Sequence, residues 1–266
     1  MRVNSNVKFS YNLSKGSIKN RQKLVSDLNE KFFDAFVAQA ERADRPFTLK
    51  SLLKIYNKTL PEKKHIQVKG LSNSCSDFQG ASSYVQDDTG KVLGLTLEVP
   101  ADRQGNQKAS IVTLMHENTH VLESLAQPKH TAILQKLTRQ DSYTSARDKW
   151  YNAELYKEEK IKYSDKIKIE ERMKKVEHAT KKFIRRKSFQ EKVDYLNDAR
   201  YELEEERDAH IEQLKYAKKL KAMGKTVDER DLEDCDKAYL FKEKIEVLKK
   251  VLREVLLNER NSKQGK

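Results

Sequence analysis

The sequence predicts an α+β protein, in which a small antiparallel sheet and the short helix that directly follows it are succeeded by long helices with partly coiled-coil-like spacing. Between residues 62 and 100, apolar and polar residues alternate as they do in strands. From residue 146 onward the apolar residues recur every three to four positions, which is typical of helices. The chain is 36% charged and 37% hydrophobic, and this balance favours long, surface-rich helices.

Composition and spacing divide the chain into three segments, 1–17, 18–127 and 128–266. The first is rich in Ser, Asn and Lys and is predicted to be a flexible leader. The second opens with a helix over 18–43, and Thr48 can cap another helix that ends near Pro61. The third is predicted to be helical, with a long helix starting at Ala146 and another over 189–223. Its four-three apolar spacing can pack inside the chain or between chains.

Three stretches of the second segment carry the strand pattern: 66–68, 83–85 and 92–99. The residues Asp87-Asp-Thr-Gly90 supply a turn between the last two. We therefore expect a small antiparallel sheet of three or more strands, able to cover one side of the helix that follows it.

That helix is predicted over 109–125 and contains the pattern HExxH, formed by His116, Glu117 and His120. Side chains four residues apart are neighbours on a helix, so the two imidazoles can bind one ion. Zinc accepts such nitrogens, and Glu117 is placed to act as the general base toward a water. The opposite side of the helix is apolar, with Ile111, Leu114, Met115, Val121, Leu122 and Leu125. A solvated helix face that happens to carry these residues is the alternative.

A catalytic zinc needs a third protein ligand, and the glutamate-rich run 201–210 offers candidates. At 100° per residue, Glu206 falls in the middle of the apolar side of its helix, and Glu202 lies nearer the edge. A carboxylate among apolar neighbours is costly unless it meets a cation. That cation is either the metal or a Lys of a neighbouring helix. His130 is a weaker candidate because it follows a proline and is off the pattern.

The segment 83–125 resembles the active-site region of the zincin metallopeptidases. In that family an edge strand, along which an extended substrate lies, precedes the HExxH helix. The resemblance implies that Leu93 to Pro100 is this edge strand. One zincin subgroup continues HExxHxxGxxH, but this chain has Glu123 and Ala126 at the later Gly and His positions, which excludes that subgroup.

The other large subgroup, the gluzincins, takes its third ligand from a downstream helix in a Glu-x-x-Ala-Asp arrangement. Glu206 and Ala209 match this arrangement, and His210 stands in place of the Asp. The resemblance implies a zinc metalloendopeptidase with one Zn²⁺ per chain, bound by His116, His120 and Glu206. His210 and Tyr195 are weaker candidates to orient a ligand or contact a protein or peptide substrate.

The net charge of +13 favours an acidic partner. Residues 157–192 hold fourteen Lys and Arg against seven Asp and Glu, although mixed charges of this kind are usually a solvated face. The alternative function is therefore a non-catalytic basic helical protein that binds nucleic acid or an acidic protein surface. No apolar run reaches the length of a membrane span, no cleavable signal peptide is recognisable, and the two cysteines are isolated. We expect a cytoplasmic protein, with export by a signal-independent route as the alternative.

Overall fold

The computed structural model describes residues 18–42, 44–60, 65–71, 80–86, 92–126, 145–157 and 161–264. The chain forms two compact units, 1–129 and 130–266, whereas the sequence places the division after residue 127. The predicted leader, 1–17, lies outside the described residues. Within the described ranges, no helix combines the length and the apolarity that a membrane span requires.

Two helices open the first unit, α1 (Ile18–Ala40) and α2 (Leu49–Thr59). Thr48 caps α2 as predicted, because its side chain accepts a hydrogen bond from the Ser51 backbone N–H at 3.2 Å. The two helices meet through aromatic rings, with the Phe32 and Tyr56 centroids 4.7 Å apart. Both rings are fully buried, so these helices form part of the core of the unit.

The sheet of the first unit has three described strands, β1 (His65–Leu71), β2 (Ala81–Gln86) and β3 (Val92–Pro100). Their order is β1-β3-β2. β2 runs antiparallel to β3, but β1 runs parallel to it, so the prediction of an antiparallel sheet is wrong for one of the two pairs. The alternation of apolar and polar residues determines which face of a strand is buried, and in β3 this is the face of Leu95, Leu97 and Val99. It does not determine whether the neighbouring strand runs parallel or antiparallel.

This strand order also corrects the predicted edge strand. The residues 93–100 belong to β3, which has a hydrogen-bonded neighbour on each side. Its backbone groups are therefore already paired, and an extended peptide cannot add to it. β2 is the strand that lies at the antiparallel edge, and it packs against the HExxH helix.

The HExxH helix, α3 (Ile111–Ala126), starts two residues after the predicted first residue. The Ser110 hydroxyl accepts the Thr113 backbone N–H at 3.0 Å, which satisfies one of the free donors of the first turn. The apolar side is buried as the spacing predicts and packs on α1 and the sheet. Its members that are at most 2% exposed are Leu114, Met115, Val121 and Leu122.

The second unit starts with α4 (Ser145–Trp150), which passes into a five-residue π-helix, Tyr151–Leu155, here called the π-turn. The prediction of one long helix from Ala146 is wrong, because the chain leaves the helix at Tyr156 and starts α5 (Lys166–Ile184) only after Asp165. The Asp165 side chain accepts the Lys168 backbone N–H at 3.2 Å. This cap favours a new start there over a continuous helix.

Two longer helices complete the second unit, α6 (Phe189–Ala222) and α7 (Glu229–Gln264). Gly224 follows α6 at a φ of +73°, a conformation that favours glycine at a helix end. The four-three stripes of α5 and α7 pack within this chain, against each other and α6. Buried members of the shared core are Val176, Leu196, Ala199, Leu203, Ile245, Leu248 and Val251.

Candidate metal centre

His116 and His120 lie one turn apart on α3, and their imidazoles face each other. The two Nε2 atoms are 3.2 Å apart, and the rings meet edge to face with centroids 4.9 Å apart. Two nitrogens bound at about 2.0–2.1 Å to one tetrahedral zinc would be separated by about 3.3 Å. The observed separation fits that requirement, and it also fits one N–H···N hydrogen bond between neutral rings.

Glu117 is buried beside the histidine pair, with 7% of its surface exposed. Gly80, just before β2, approaches it so closely that a Cβ there would lie 2.9 Å from Glu117 Cγ and 3.1 Å from Oε1. A side chain at position 80 would therefore displace the carboxylate. The sequence offered no sign of this contact, because it joins residues far apart in the chain.

Tyr56 of α2 is a further neighbour of Glu117. Burial, and secondarily the negative charge of Glu117, raise the pKa of the Tyr56 phenol far above its usual value. Its ring is fully buried, and its hydroxyl has no hydrogen-bond partner among the described residues. Tyr56 is thus a neutral hydroxyl in the surroundings of the carboxylate, and it is not among the site residues that the sequence predicts.

The two central residues of HExxH, Asn118 and Thr119, attach α3 to α1. Asn118 Nδ2 donates to Asn29 Oδ1 at 2.7 Å, and Asn29 Nδ2 donates to Thr119 Oγ1 at 3.2 Å. Thr119 Oγ1 in turn donates to the Met115 carbonyl at 2.9 Å. The three polar side chains of this network are at most 1% exposed. Because buried amides that lose their partners are costly, the network restricts the rotation of α3 about its axis.

Glu206 lies on α6 between two buried residues, Leu203 and Ala209, as the helical projection predicts. The Tyr156 hydroxyl forms a hydrogen bond with the Glu206 side chain. Burial first, and then the negative charge of Glu206, raise the pKa of Tyr156, so this phenol is the hydrogen-bond donor. Glu202, the alternative third ligand, is 3.5 Å from Arg147 Nη2, which also binds Asp198 at 2.8 Å.

The two weaker candidates occupy different environments. His210 is buried one turn after Glu206, and its ring stacks nearly parallel to Phe241 with centroids 5.7 Å apart. Tyr195 is 1% exposed and packs edge-on against Phe183. Eleven residues of helix place Tyr195 about 16 Å from Glu206 along the axis. The structure therefore keeps His210 near Glu206, and it does not bring Tyr195 near.

Each unit carries candidate ligands of its own: His116 and His120 lie on α3 in the first unit, and Glu206 lies on α6 in the second. Two imidazoles and a carboxylate form a donor set suited to zinc. His130, the weaker sequence candidate, falls outside the described residues.

Comparisons of the chain with protein-family models, with curated proteins and with solved structures found no match. No relative therefore indicates a function, and the function has to be inferred from the side chains described above.

Proposed function

We propose that the chain is a zinc-dependent metallopeptidase with a zincin-like arrangement of sheet and HExxH helix. The observation that carries this proposal is the pair of facing imidazoles on α3, whose Nε2 atoms are 3.2 Å apart, with the buried Glu117 next to the first histidine; Glu206 is the proposed third ligand. Three protein ligands are the usual number for a catalytic zinc, since the fourth position remains for water or substrate. A structural zinc would have a fourth protein ligand.

Zinc, when bound, supplies the Lewis acidity that lowers the pKa of a water toward about 7 and polarises a carbonyl oxygen. Glu117 accepts a proton from the attacking water at a carboxylate oxygen and delivers it to the nitrogen of the leaving amine. Its burial against Gly80 limits the positions that the carboxylate can occupy. The peptide bond is thereby hydrolysed to a carboxylic acid and an amine.

The edge of β2 is the proposed place for an extended peptide substrate. Within the described residues β2 pairs with β3 on one side, so its other edge carries backbone donors and acceptors that a peptide strand can use. The close approach of Gly80 to Glu117 places the start of this strand beside the general base. Binding of this kind depends mainly on an extended main chain of the substrate and less on its side chains.

The test combines zinc analysis with peptide hydrolysis on the full chain. The wild type should hold one zinc per chain and cleave members of a mixed peptide library. His116→Ala should lose the metal, whereas Glu117→Gln should keep it and cleave about 10²- to 10⁴-fold more slowly, the usual worth of a general base. His178→Ala, at an exposed histidine of α5, is the matched control. A wild type without zinc, or a Glu117→Gln variant with the wild-type rate, would disprove the peptidase.

One surface favours the second function, a basic protein that binds nucleic acid or an acidic protein. Many cations of the segment 157–192 are paired; Lys181, for example, binds Glu177 at 2.8 Å and Glu254 at 2.7 Å. Lys182, Arg185 and Arg186, at the end of α5, are exposed and have no carboxylate within ion-pair distance among the described residues. Within the basic segment 157–192, the surface proposed for an acidic partner is therefore this end of α5.

Binding to DNA and RNA across a salt series tests that surface. If it binds phosphates, affinity should fall linearly on a log-log plot as salt rises. Replacement of Arg185 and Arg186 by Glu should reduce both the affinity and the slope. Binding that is absent, or that ignores salt, would eliminate the nucleic-acid version.

A further inference from the structure

The π-turn Tyr151–Leu155 is a rare backbone form in a position where the sequence predicts an ordinary helix. The Tyr156 backbone N–H closes it by donating to the Tyr151 carbonyl at 2.9 Å, five residues back. Single π-turns within helices are frequent at functional sites, because they shift the side chains that follow relative to a regular helix. The side chain that directly follows this one is Tyr156.

Two buried cations hold the end of the π-turn. Arg172, 6% exposed, donates from Nη2 to the Ala153 carbonyl at 3.2 Å and to the Glu154 carbonyl at 2.8 Å. Its Nη1 donates to the Glu154 carboxylate at 2.7 Å. Lys244, 1% exposed, donates to the Leu155 carbonyl at 2.6 Å. The carbonyls at a helix end lack regular helical donors. Here three successive carbonyls each accept a hydrogen bond from a positively charged side chain instead.

Burying two cations costs free energy, and this indicates that the position of the π-turn is functionally constrained. Removing an ammonium group from water costs several kcal/mol unless its interactions in the protein replace hydration. Lys244 lies on α7 and Arg172 on α5, so two separate helices contribute a cation to the same short turn. Neither cation belongs to the four-three apolar stripes of α5 and α7 that the sequence predicts.

Tyr156 is fixed by the π-turn and by aromatic neighbours. Its ring stacks on Tyr151 with centroids 4.9 Å apart and interplanar angle 28°, and the Phe241 ring lies 6.0 Å away. The ring has little freedom in this environment, so its hydroxyl is directed to one place. The group found there is the side chain of Glu206.

We propose that Tyr156 is a positioning residue for Glu206, and that the π-turn with Arg172 and Lys244 holds Tyr156 in place for this task. The inference rests on the proposed function, in which Glu206 is a metal ligand. A carboxylate can present either oxygen or both to an ion, and a hydrogen bond to one oxygen selects the orientation of the other. The Tyr156 hydroxyl therefore restricts the orientations of the Glu206 carboxylate before the metal binds.

Tyr156→Phe is the decisive variant because it removes the hydroxyl and keeps the ring and its stacking. Zinc affinity, measured by competition with a chromogenic chelator, should fall about 10- to 100-fold, the usual cost of losing a group that orients a ligand. Tyr163→Phe, at a tyrosine 58% exposed in the same unit, should leave affinity unchanged. The visible spectrum of the cobalt-substituted protein should change in the first variant and not in the control, because it reports the geometry of the ligands.

Lys244→Met extends the test to the π-turn. Alone it should weaken zinc binding, because the Leu155 carbonyl loses its donor and the turn loosens. Combined with Tyr156→Phe it should weaken zinc binding no further, since the hydroxyl that the turn positions is already absent. Circular dichroism shows whether Lys244→Met remains folded; if it unfolds, the near-isosteric Tyr156→Phe decides alone.

The outcomes separate this inference from the proposed function. A wild type that binds no zinc, or a Glu206→Ala variant with wild-type affinity, removes the assignment of Glu206 and the inference with it. Zinc binding that depends on Glu206 but is identical in wild type and Tyr156→Phe overturns the positioning role alone and leaves the peptidase proposal in place.

Discussion

The helices α3 and α6 both carry candidate metal ligands, but they differ in how these residues are distributed. In α3 the two imidazoles and the proposed general base, Glu117, fall within five consecutive residues, and the side of the helix opposite them is apolar. In α6 one carboxylate is the candidate, among several acidic residues within a single glutamate-rich run. The candidate ligands of α3 can be predicted from their spacing alone, whereas in α6 the choice among several carboxylates depends on how the helix packs.

The helices also differ in how their polar side chains are held. The network that attaches α3 to α1 is neutral, because Asn29, Asn118 and Thr119 exchange hydrogen bonds without charge. On α6, Asp198 and Glu202 pair with the guanidinium of Arg147. Neutral hydrogen bonds keep their strength across pH and salt, whereas ion pairs depend on both. The orientation of α3 should therefore be the less sensitive to conditions.

The largest expected effect distinguishes the carboxylates of α6. Glu206→Ala should weaken zinc binding by at least about 100-fold, because a ligand contributes more than the groups that orient it, whose loss costs about 10- to 100-fold. Glu202→Ala, one turn earlier, should leave zinc affinity nearly unchanged, since Glu202 contacts Arg147. Chelator competition measures both. Equal losses in the two variants would mean that the glutamates act through the general charge of the helix.

The next effect concerns the network behind α3. Asn29→Ala removes the partner of Asn118 Nδ2 and leaves that amide fully buried. The free energy of unfolding should fall by about 2 kcal/mol, within the range for an unsatisfied buried polar group. Urea unfolding measures it, with Asn258→Ala at an exposed position of α7 as the control. A change as small as that of the control would show that the network does not hold α3.

A smaller effect is expected from Gly80→Ala. The added Cβ would meet Glu117 Cγ at 2.9 Å, and relief of the overlap should cost about 1 kcal/mol of stability. In a Glu117→Ala background that cost should disappear, because the atoms of the overlap are gone. Thermal unfolding of the four proteins gives the coupling between the sites. If the cost is the same in both backgrounds, the contact of Gly80 with Glu117 does not limit this position.

The smallest effect lies on the surface of the second unit. Glu177 accepts hydrogen bonds from Lys181 and Lys250, and these lower the pKa of its carboxyl. A lowered folded-state pKa stabilises the fold above the unfolded value of about 4.3, and this contribution is lost as the pH falls through the folded value. Glu177→Gln should therefore cost under about 1 kcal/mol at pH 7 and close to nothing at acid pH. Denaturant unfolding at both pH values and at high salt tests it.

Much of the first unit could be predicted because its signals are local. The cap at Thr48, the three strands and the buried side of α3 all follow from a few adjacent residues. The parallel pairing of β1 with β3 could not be predicted, because alternation is identical for either direction of a neighbour. The edge position of residues 93–100 is implied only by the zincin resemblance, and the strand order β1-β3-β2 corrects it.

In the second unit, periodicity predicted the apolar stripes of the helices and the place of Glu206 between the buried residues Leu203 and Ala209, but it missed the π-turn. No Pro or Gly marks residues 151–165, so the interruption is invisible to rules that depend on helix breakers. Arg172 belongs to the segment 157–192, whose mixed charges predict a solvated face, but both it and Lys244 are buried. Their role depends on carbonyls from another part of the chain, and helical spacing carries no information about such partners.

The central place of β3 in the sheet has a consequence for the order of folding. β2 and β3 are joined by five residues, 87–91, whereas twenty residues, 72–91, separate β1 from β3. Short hairpins close within about 1–10 μs, and closing a longer loop costs additional chain entropy. The β2–β3 hairpin should therefore form first and offer the free side of β3 as a template, onto which β1 docks in a later and slower step.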